Sequence, residues 1–276
     1  MDPRLQLRVQ RYGWDKAAPY YEGFWARQLA PARGRLLALA ALRPGERVLD
    51  LACGTGLVTF PAAAAVGAGG AVTATDISDA MVSFVTAEAA RRGLAHVAAR
   101  RADAEDMPFP DASFDAVLCG LGLMYVPDPR RCLEESRRVL RPGGRAVMAV
   151  WGARERCGWA EIFPIVDAQV RSEVCPLFFQ LGTGDALSIV LDLAGFTAVR
   201  TERISTVLEY ASAADALGAA FVGGPVAMAY SRFDEATRDA VHAEYLRSIA
   251  SYRARDGYRI PGEFVVAVGE TAAARV

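Results

Sequence analysis

A glycine-containing turn at residues 49–59, LDLACGTGLVT, constrains the fold more than any other segment of this chain. An apolar strand pattern ends near Asp50, and the chain then passes through Gly54 and Gly56 into a helical pattern. Glycines let the backbone approach a ligand closely, and the N-terminus of a helix offers free N–H groups. The next strand pattern ends in Asp76, about 20 residues after Gly56, where a doubly wound fold uses a carboxylate to bind ribose hydroxyls. The pair predicts a ribose-containing ligand at the edge of a parallel sheet.

Around this turn, apolar β-type segments alternate with helical patterns, which is typical of βαβ units and a parallel sheet. Helices are predicted to begin near Gly56, Ser78 and Pro129, and Ser78 is a suitable N-cap. Strands are predicted near residues 47–52, 71–76, 97–102, 114–119 and 145–150.

The alternation weakens after Trp151. There the patterns predict helices at 159–174, 185–194 and 213–252, the last interrupted by Gly223-Gly224-Pro225, and strands at 196–208 and 257–268. The predicted fold class is α/β, a doubly wound, Rossmann-like, seven-stranded sheet with a helical N-terminal segment and a C-terminal cap insertion. The predicted division is an N-terminal helical lid at 1–44, a cofactor-binding core at 45–152, and the remainder of the sheet plus a helical acceptor-binding cap at 153–276.

Two details favour S-adenosylmethionine (SAM) over a dinucleotide as the ribose-containing ligand. The dinucleotide fingerprint GxGxxG has a third glycine for close helix packing, whereas this chain has Thr59 at that position. Asp50 lies where a carboxylate would repel a pyrophosphate but could accept a hydrogen bond from the ammonium of a methionine group. The structural alternative is that Asp50 only caps its own turn.

Composition and charge argue against several other classes of protein. A net charge of −1 and a pI near 6.2 provide no basic field for a polyanion, so no nucleic-acid partner is expected. The N-terminus lacks the apolar core of a signal peptide, and no apolar segment is long enough for membrane insertion. The cysteines form no CxxC pair, which predicts no metal site and fits a reducing cytoplasm. They are Cys53, Cys119, Cys132, Cys157 and Cys175.

Four segments follow one another in a characteristic order: LDLACGTGLVT (49–59), TDISDAM (75–81), RADAEDMPFPDASFDAVLCG (101–120) and RRVLRPGGRAVM (137–148). In this order they resemble the class I SAM-dependent methyltransferases, specifically the methyltransferase type 11 group that includes ubiquinone and menaquinone biosynthesis methyltransferases. The resemblance covers residues 45–150 closely and implies SAM as the cofactor.

The resemblance also implies roles for individual residues. Asp76 would bind the ribose, Met81 would pack on adenine, Asp103 and Ala104 would lie beside the adenine ring, and the segment 119–121 would border the methionine part. The predicted cofactor-binding residues are Tyr20, Asp50, Ala52, Cys53, Gly54, Gly56, Asp76, Ile77, Met81, Asp103, Ala104, Cys119 and Leu121.

The acceptor side is less defined by the sequence. WDKAAPYYEGFW (14–25) resembles the segment whose aromatic residues close over SAM and meet the acceptor, with Tyr20 and Tyr21 as candidates, although an amphipathic helix covering the sheet explains it almost as well. Residues 209–256 would be an insertion that caps the acceptor pocket. Where quinone methyltransferases commonly have a Gly-Leu-Arg-Asn-like segment, this chain has GLGLMY (120–125). That apolar stretch indicates a flat or hydrophobic acceptor, or equally a loop packed on the core.

The catalytic residue is unknown from sequence, with His242 and Tyr21 as the candidates. His242 could accept a proton from a hydroxyl acceptor, but a surface helix position is the alternative. His96 is expected at the sheet edge opposite the ligand and is interpreted as structural. Because the SAM sulfonium is already a good electrophile, alignment and exclusion of water are the main tasks, and no base is obligatory.

The predicted function is transfer of a methyl group from SAM to a small, aromatic or hydrophobic O-, C- or N-acceptor, releasing S-adenosylhomocysteine. The leading alternative is a SAM-binding protein with non-methylating chemistry or a regulatory role, since fold alone does not fix reaction. A nicotinamide-dependent oxidoreductase is disfavoured by Thr59 and Asp50. The sequence leaves the acceptor's identity and a homodimer open.

Overall fold

A mixed β-sheet organises the chain in the computed structural model, which describes residues 3–170, 178–255 and 257–273. Its strands are β1 (Arg47–Leu51), β2 (Ala71–Asp76), β3 (Val97–Arg101), β4 (Phe114–Gly120), β5 (Leu140–Trp151), β6 (Thr197–Tyr210), β7 (Arg253–Ala254) and β8 (Gly257–Glu270). Within the described ranges, seven of them lie in the order β3-β2-β1-β4-β5-β8-β6, and the short strand β7 pairs with β8. The predicted fold class is confirmed.

Helices connect the strands and precede the sheet. Ser78 caps α4, because its Oγ accepts the N–H of Met81 at 3.1 Å, as the sequence predicts. Asp128 does the same for α5 by accepting the N–H of Arg131 at 3.0 Å. The helices are α1 (Pro3–Trp25), α2 (Ala30–Ala40), α3 (Thr59–Val66), α4 (Asp79–Arg91), α5 (Pro129–Val139), α6 (Ile162–Val170), α7 (Ala186–Leu193), α8 (Ala213–Leu217), α9 (Ala227–Tyr230) and α10 (Glu235–Ser248).

The strand order reverses between β1 and β4. β1 pairs in parallel with β2 on one side and β4 on the other, so that Leu51 lies beside both Thr75 and Cys119. In doubly wound sheets this switch point opens a crevice at the carboxyl ends of the strands. The residues that follow β1, β2 and β4 therefore meet at one edge.

The central strands are almost entirely buried, as expected for strands covered by helices. In β1 only Arg47 is exposed, and β5 is buried from Ala146 to Trp151. By contrast, β6 forms an edge of the sheet, pairs antiparallel with β8, and exposes alternate side chains along much of its length. The ligand edge therefore lies on the most deeply buried part of the sheet.

Most predicted elements are confirmed with small shifts at their ends. The helix predicted near Gly56 begins at Thr59, and β5 starts five residues earlier than predicted, at Leu140. The helical region predicted over 213–252 consists of α8, a π-helical turn at Gly218–Val222, α9 and α10, with the predicted break at Gly223–Pro225 and a second, unpredicted break at residues 231–234. Part of the helix predicted at 159–174 lies outside the described residues, as does Cys175. The division into lid, core and cap stays a prediction.

The described ranges contain neither a membrane-spanning helix nor a metal-ligand cluster. No helix there has both the length and the apolar character needed to cross a bilayer. The same ranges contain no cluster of three or more His, Cys, Asp or Glu side chains that could hold a metal ion.

Candidate cofactor and acceptor site

A cavity, here called the main cavity, lies at the carboxyl ends of β1, β2 and β4. A side cavity adjoins it and shares six of its lining residues, which are Tyr21, Leu29, Ala52, Gly54, Gly120 and Leu121. The predicted cofactor residues that line one or both cavities are Asp50, Ala52, Cys53, Gly54, Asp76, Ile77, Met81, Asp103, Ala104 and Leu121. The structure thus brings together residues that are up to 71 positions apart in sequence, from Asp50 to Leu121.

Asp76 fixes the turn that follows β1. Its Oδ2 accepts the N–H of Gly54 at 2.9 Å, and its Oδ1 accepts the N–H of Ser78 at 2.9 Å. Burial raises the pKa of this carboxyl to about 6, although the two backbone hydrogen bonds oppose the shift. Each carboxylate oxygen retains a lone pair, so Asp76 can also accept from two ribose hydroxyls.

Asp50 is buried at the end of β1 with one oxygen satisfied. Its Oδ2 accepts from the Thr59 hydroxyl at 2.6 Å, whereas Oδ1 has no hydrogen-bond partner among the described residues. Burial, with a smaller contribution from the nearby charge of Asp76, raises the pKa of Asp50 to about 7. A buried carboxylate oxygen without a donor is costly, and Asp50 lines the side cavity. The ammonium of a methionine group fits this requirement.

The turn itself depends on left-handed backbone geometry. Gly56 has a φ of 87°, and a Cβ at this position would lie 2.5 Å from the Phe60 ring. Gly56 therefore allows the backbone geometry of the turn and its close packing on Phe60, but it does not line either cavity. Cys119 also lies behind the site: it is buried, lines neither cavity, and burial raises the pKa of its thiol to about 12.

Helix α1 covers the main cavity, to which it contributes Leu7, Gln10, Trp14, Tyr21 and Trp25. It is tied to the start of α4, because Asp15 Oδ1 accepts from the Ser78 hydroxyl at 2.6 Å and from the Ala80 N–H at 3.2 Å.

The two candidate tyrosines of α1 differ in position. Tyr20 is 51% exposed and does not line either cavity, contrary to its predicted cofactor role, whereas Tyr21 lines both. Successive residues of an α-helix point about 100° apart, so only one of two neighbours can face the site. Burial raises the pKa of Tyr21 well above its usual range. Tyr21 is therefore protonated at neutral pH.

The two histidines lie outside both cavities. His242 Nε2 is 2.9 Å from the Tyr230 hydroxyl, and the two rings stack with their centroids 5.5 Å apart. Because this stacking holds the ring against Tyr230 at the end of α9, the structure does not bring the catalytic candidate His242 to the cofactor residues. His96 Nε2 is 3.1 Å from the Ala63 carbonyl, which agrees with a structural role.

Sequence reasoning missed one residue of the site and located another part only by segment. Arg33 of α2 lines the side cavity together with Asp50 and donates to the Ala26 carbonyl at 3.5 Å. Its spacing of three residues from the buried Leu36 was the available signal, because such residues share a helix face.

The aromatic end of the main cavity lies in segments that the sequence assigns to the acceptor pocket, namely 14–25, 120–125 and 151–182, but its members were not singled out. They are Trp25, Tyr125, Trp151, Trp159 and Phe178.

The chain is similar to known methyltransferases. Residues 49–148 match the family described as a methyltransferase domain. Nocamycin O-methyltransferase from Saccharothrix syringae is 32% identical over 255 residues, which cover 87% of this chain and 91% of that protein. A 2-phytyl-1,4-naphtoquinone methyltransferase from Synechococcus elongatus is 40% identical over 141 residues, covering 49% of this chain and 60% of that protein.

The fold is shared with solved structures as well. The YcgJ protein from Bacillus subtilis aligns with a TM-score of 0.63 and 17% identity, over 88% of this chain and 99% of that one. This likeness supports the fold, while the Saccharothrix relative supports the family over nearly the whole chain. By these matches, the chain belongs to the class I SAM-dependent methyltransferases.

Proposed function

We propose that this enzyme transfers the methyl group of SAM to a small, flat and hydrophobic metabolite and releases S-adenosylhomocysteine. One observation carries the proposal: Asp76 and Met81, expected to bind the cofactor, line the same cavity as Trp151 and Trp159. SAM and the methyl acceptor would therefore lie in one cavity, and the methyl group would not pass through solvent. Pockets of this kind are largely apolar with a few placed polar groups, which describes the main cavity.

The described residues fit the parts of SAM. Asp76 would accept from the ribose hydroxyls, Met81 would pack on the adenine, and Asp50 Oδ1 would accept from the ammonium. Arg33, which lines the side cavity beside Asp50, would pair with the carboxylate. When bound, SAM supplies an activated methyl group on a positively charged sulfur. The chain's own task is to bind both reactants, align them and exclude water.

The names of the relatives favour certain chemical classes of methyl acceptor. The Saccharothrix relative is named as an O-methyltransferase, and the Synechococcus relative as a methyltransferase of a naphthoquinone. These names favour an oxygen or ring-carbon acceptor in a ring-containing molecule, which agrees with the aromatic end of the cavity. A cytoplasmic location, a homodimer and the lack of a nucleic-acid substrate stay predictions.

The test is product formation with purified enzyme. The enzyme is incubated with SAM and a panel of phenols, hydroxyquinones and cyclic enols, and S-adenosylhomocysteine is quantified by mass spectrometry. We expect S-adenosylhomocysteine only when enzyme, SAM and an acceptor are all present, together with a methylated acceptor. Tight SAM binding without product from any acceptor class would instead favour the alternative of a SAM-binding protein without methyl transfer.

Replacement of Arg33 by methionine tests the cofactor arrangement. A charge-assisted hydrogen bond is worth about 1.5–3 kcal/mol, so Arg33→Met should raise the Kd for SAM roughly 10- to 100-fold. Calorimetric titration measures the change. The matched control is Arg35→Met, which removes an arginine of the same helix that is paired with Glu202 and does not line either cavity. An unchanged Kd in Arg33→Met would exclude Arg33 from the methionine subsite.

A further inference from the structure

The aromatic end of the main cavity is a rigid assembly of rings. Trp151 and Trp159 contact at 4.8 Å between centroids, and Trp159 contacts Phe178 at 5.6 Å and Trp25 at 6.3 Å. The Trp25, Trp151, Trp159 and Phe178 side chains are all buried. Such a set of edge-to-face contacts leaves little freedom to adapt, so the space it borders favours a flat apolar guest.

Two indole N–H groups of this assembly, those of Trp25 and Trp159, differ in their hydrogen bonding. Trp25 Nε1 donates to the Gly223 carbonyl at 2.9 Å, whereas Trp159 Nε1 is buried without a hydrogen-bond partner among the described residues. Buried tryptophan N–H groups usually find an acceptor, and an indole N–H can only donate. The orphaned donor of Trp159 therefore points to a guest that brings an acceptor atom, and it discriminates against a guest that offers only a donor.

Among the described residues, six acidic, thiol or phenolic side chains line the two cavities, and five of them are not available to take a proton from an acceptor. The six are Tyr21, Asp50, Cys53, Asp76, Asp103 and Tyr125, of which Tyr125 packs its ring against Trp14 and Phe178. In the proposed function Asp50, Asp76 and Asp103 serve the cofactor. Tyr21 and Cys53 stay protonated because burial raises the pKa of each.

We propose that the acceptor is an acidic enol or phenol that enters the site already ionised, and that Trp159 Nε1–H donates a hydrogen bond to one of its oxygens. This inference rests on the proposed function and specifies its substrate class. The oxyanion forms the new C–O bond as the C–S bond of SAM breaks, and the electron pair of that bond stays on sulfur. The negative charge of the oxyanion and the positive charge of the sulfonium are both neutralised in this step. Because the acceptor oxygen carries no proton, no base is required to remove one. The sulfonium offsets the cost of placing an anion among apolar rings.

The experiment compares two probes that share a ring system. 4-Hydroxycoumarin carries an enol that is ionised at neutral pH, and coumarin lacks that hydroxyl. Each is titrated calorimetrically at pH 7.5 into enzyme saturated with SAM or with S-adenosylhomocysteine. We expect 4-hydroxycoumarin to bind at least about tenfold more tightly than coumarin, with a larger preference in the SAM complex because of the sulfonium charge. With SAM, the bound enolate should also be converted to its methyl ether.

Two variants separate the N–H group from packing. Trp159→Phe keeps an aromatic ring but removes the donor, and the preference for 4-hydroxycoumarin should fall to about threefold or less. Phe179→Leu is the matched control, since Phe179 contacts Trp159 at 5.7 Å but does not line the cavity, and it should keep the preference. Equal binding of the two probes, no binding of 4-hydroxycoumarin, or an unchanged preference in Trp159→Phe overturns the inference. Failure to saturate with SAM at the start would instead overturn the proposed function.

Discussion

Replacement of Asp76 by alanine is expected to weaken SAM binding by about 100-fold or more, because two hydrogen bonds from ribose hydroxyls to a carboxylate are lost together. The same change leaves the N–H groups of Gly54 and Ser78 without their acceptor, so the turn after β1 would also relax. Both effects weaken cofactor binding, and neither changes the aromatic end of the cavity. Calorimetric titration with SAM and with S-adenosylhomocysteine should show the same loss for the two ligands, since both carry the ribose.

The control for Asp76 is another carboxylate outside the site. Asp111→Ala removes a side chain that is 77% exposed and paired with Arg138, and it should leave the SAM affinity unchanged. Thermal unfolding of each variant, measured without ligand, confirms that the protein is folded before its affinity is interpreted. A Kd for Asp76→Ala within threefold of the unaltered enzyme would remove Asp76 from the cofactor site.

The second large effect concerns Asp50 and pH. Its pKa of about 7 means that the carboxyl is partly protonated in the ligand-free protein at neutral pH, while an ammonium needs the ionised form. SAM affinity should therefore fall as pH decreases below about 7, approaching tenfold per pH unit where a single proton is taken up. Asp76, with a pKa of about 6, would steepen the loss at lower pH.

Asp50→Asn should remove most of this dependence above pH 6. The variant should bind SAM roughly 10- to 100-fold more weakly at pH 8, because a hydrogen bond from an ammonium to a neutral amide is weaker than one to a carboxylate. The difference from the unaltered enzyme should shrink toward pH 5.5, where Asp50 itself is protonated. Titrations at pH 5.5, 7 and 8 measure both trends.

The stability of the ligand-free fold should depend on pH in the opposite direction to the SAM affinity, because stability should fall as pH rises. The pKa of Asp50 is raised above its usual value of 3.8, so its protonation stabilises the fold at low pH, and that contribution is lost as pH rises through about 7. Ligand-free Asp50→Asn should thus gain stability relative to the unaltered protein at pH 8, by about 1–2 kcal/mol after allowance for the unpaired amide N–H. Denaturant unfolding at pH 5 and 8 tests the sign.

The control for Asp50 is Asp115→Asn at the opposite end of β4, where the carboxylate accepts from the Arg47 N–H at 2.7 Å. This variant should lose stability without altering the SAM affinity or its pH dependence. A pH-independent affinity in the unaltered enzyme would contradict the role assigned to Asp50.

Much of the cofactor half of the site was predictable because its signals are local. The apolar segments that become β1 and β2 end directly before the turn and at Asp76, and the parallel pairing of the strands then places both ends at one edge. Ser78 as an N-cap and Gly56 at a positive φ follow from the same short-range rules. The missing third glycine and the position of Asp50 separated SAM from a dinucleotide.

Two properties of the site depend on the tertiary structure: which face of each helix points into the cavity, and which side chains that are distant in sequence come into contact. It turned Tyr21 into the cavity and Tyr20 into solvent, and it brought Arg33 beside Asp50. It also stacked His242 on Tyr230 and left Trp159 with an unpaired N–H among rings from separate elements. Strand ends and turns are set by residues that are neighbours in the chain, so they can be predicted from the sequence alone. The rotation of a helix about its axis and the packing of distant aromatic rings depend instead on how all the elements pack in the hydrophobic core.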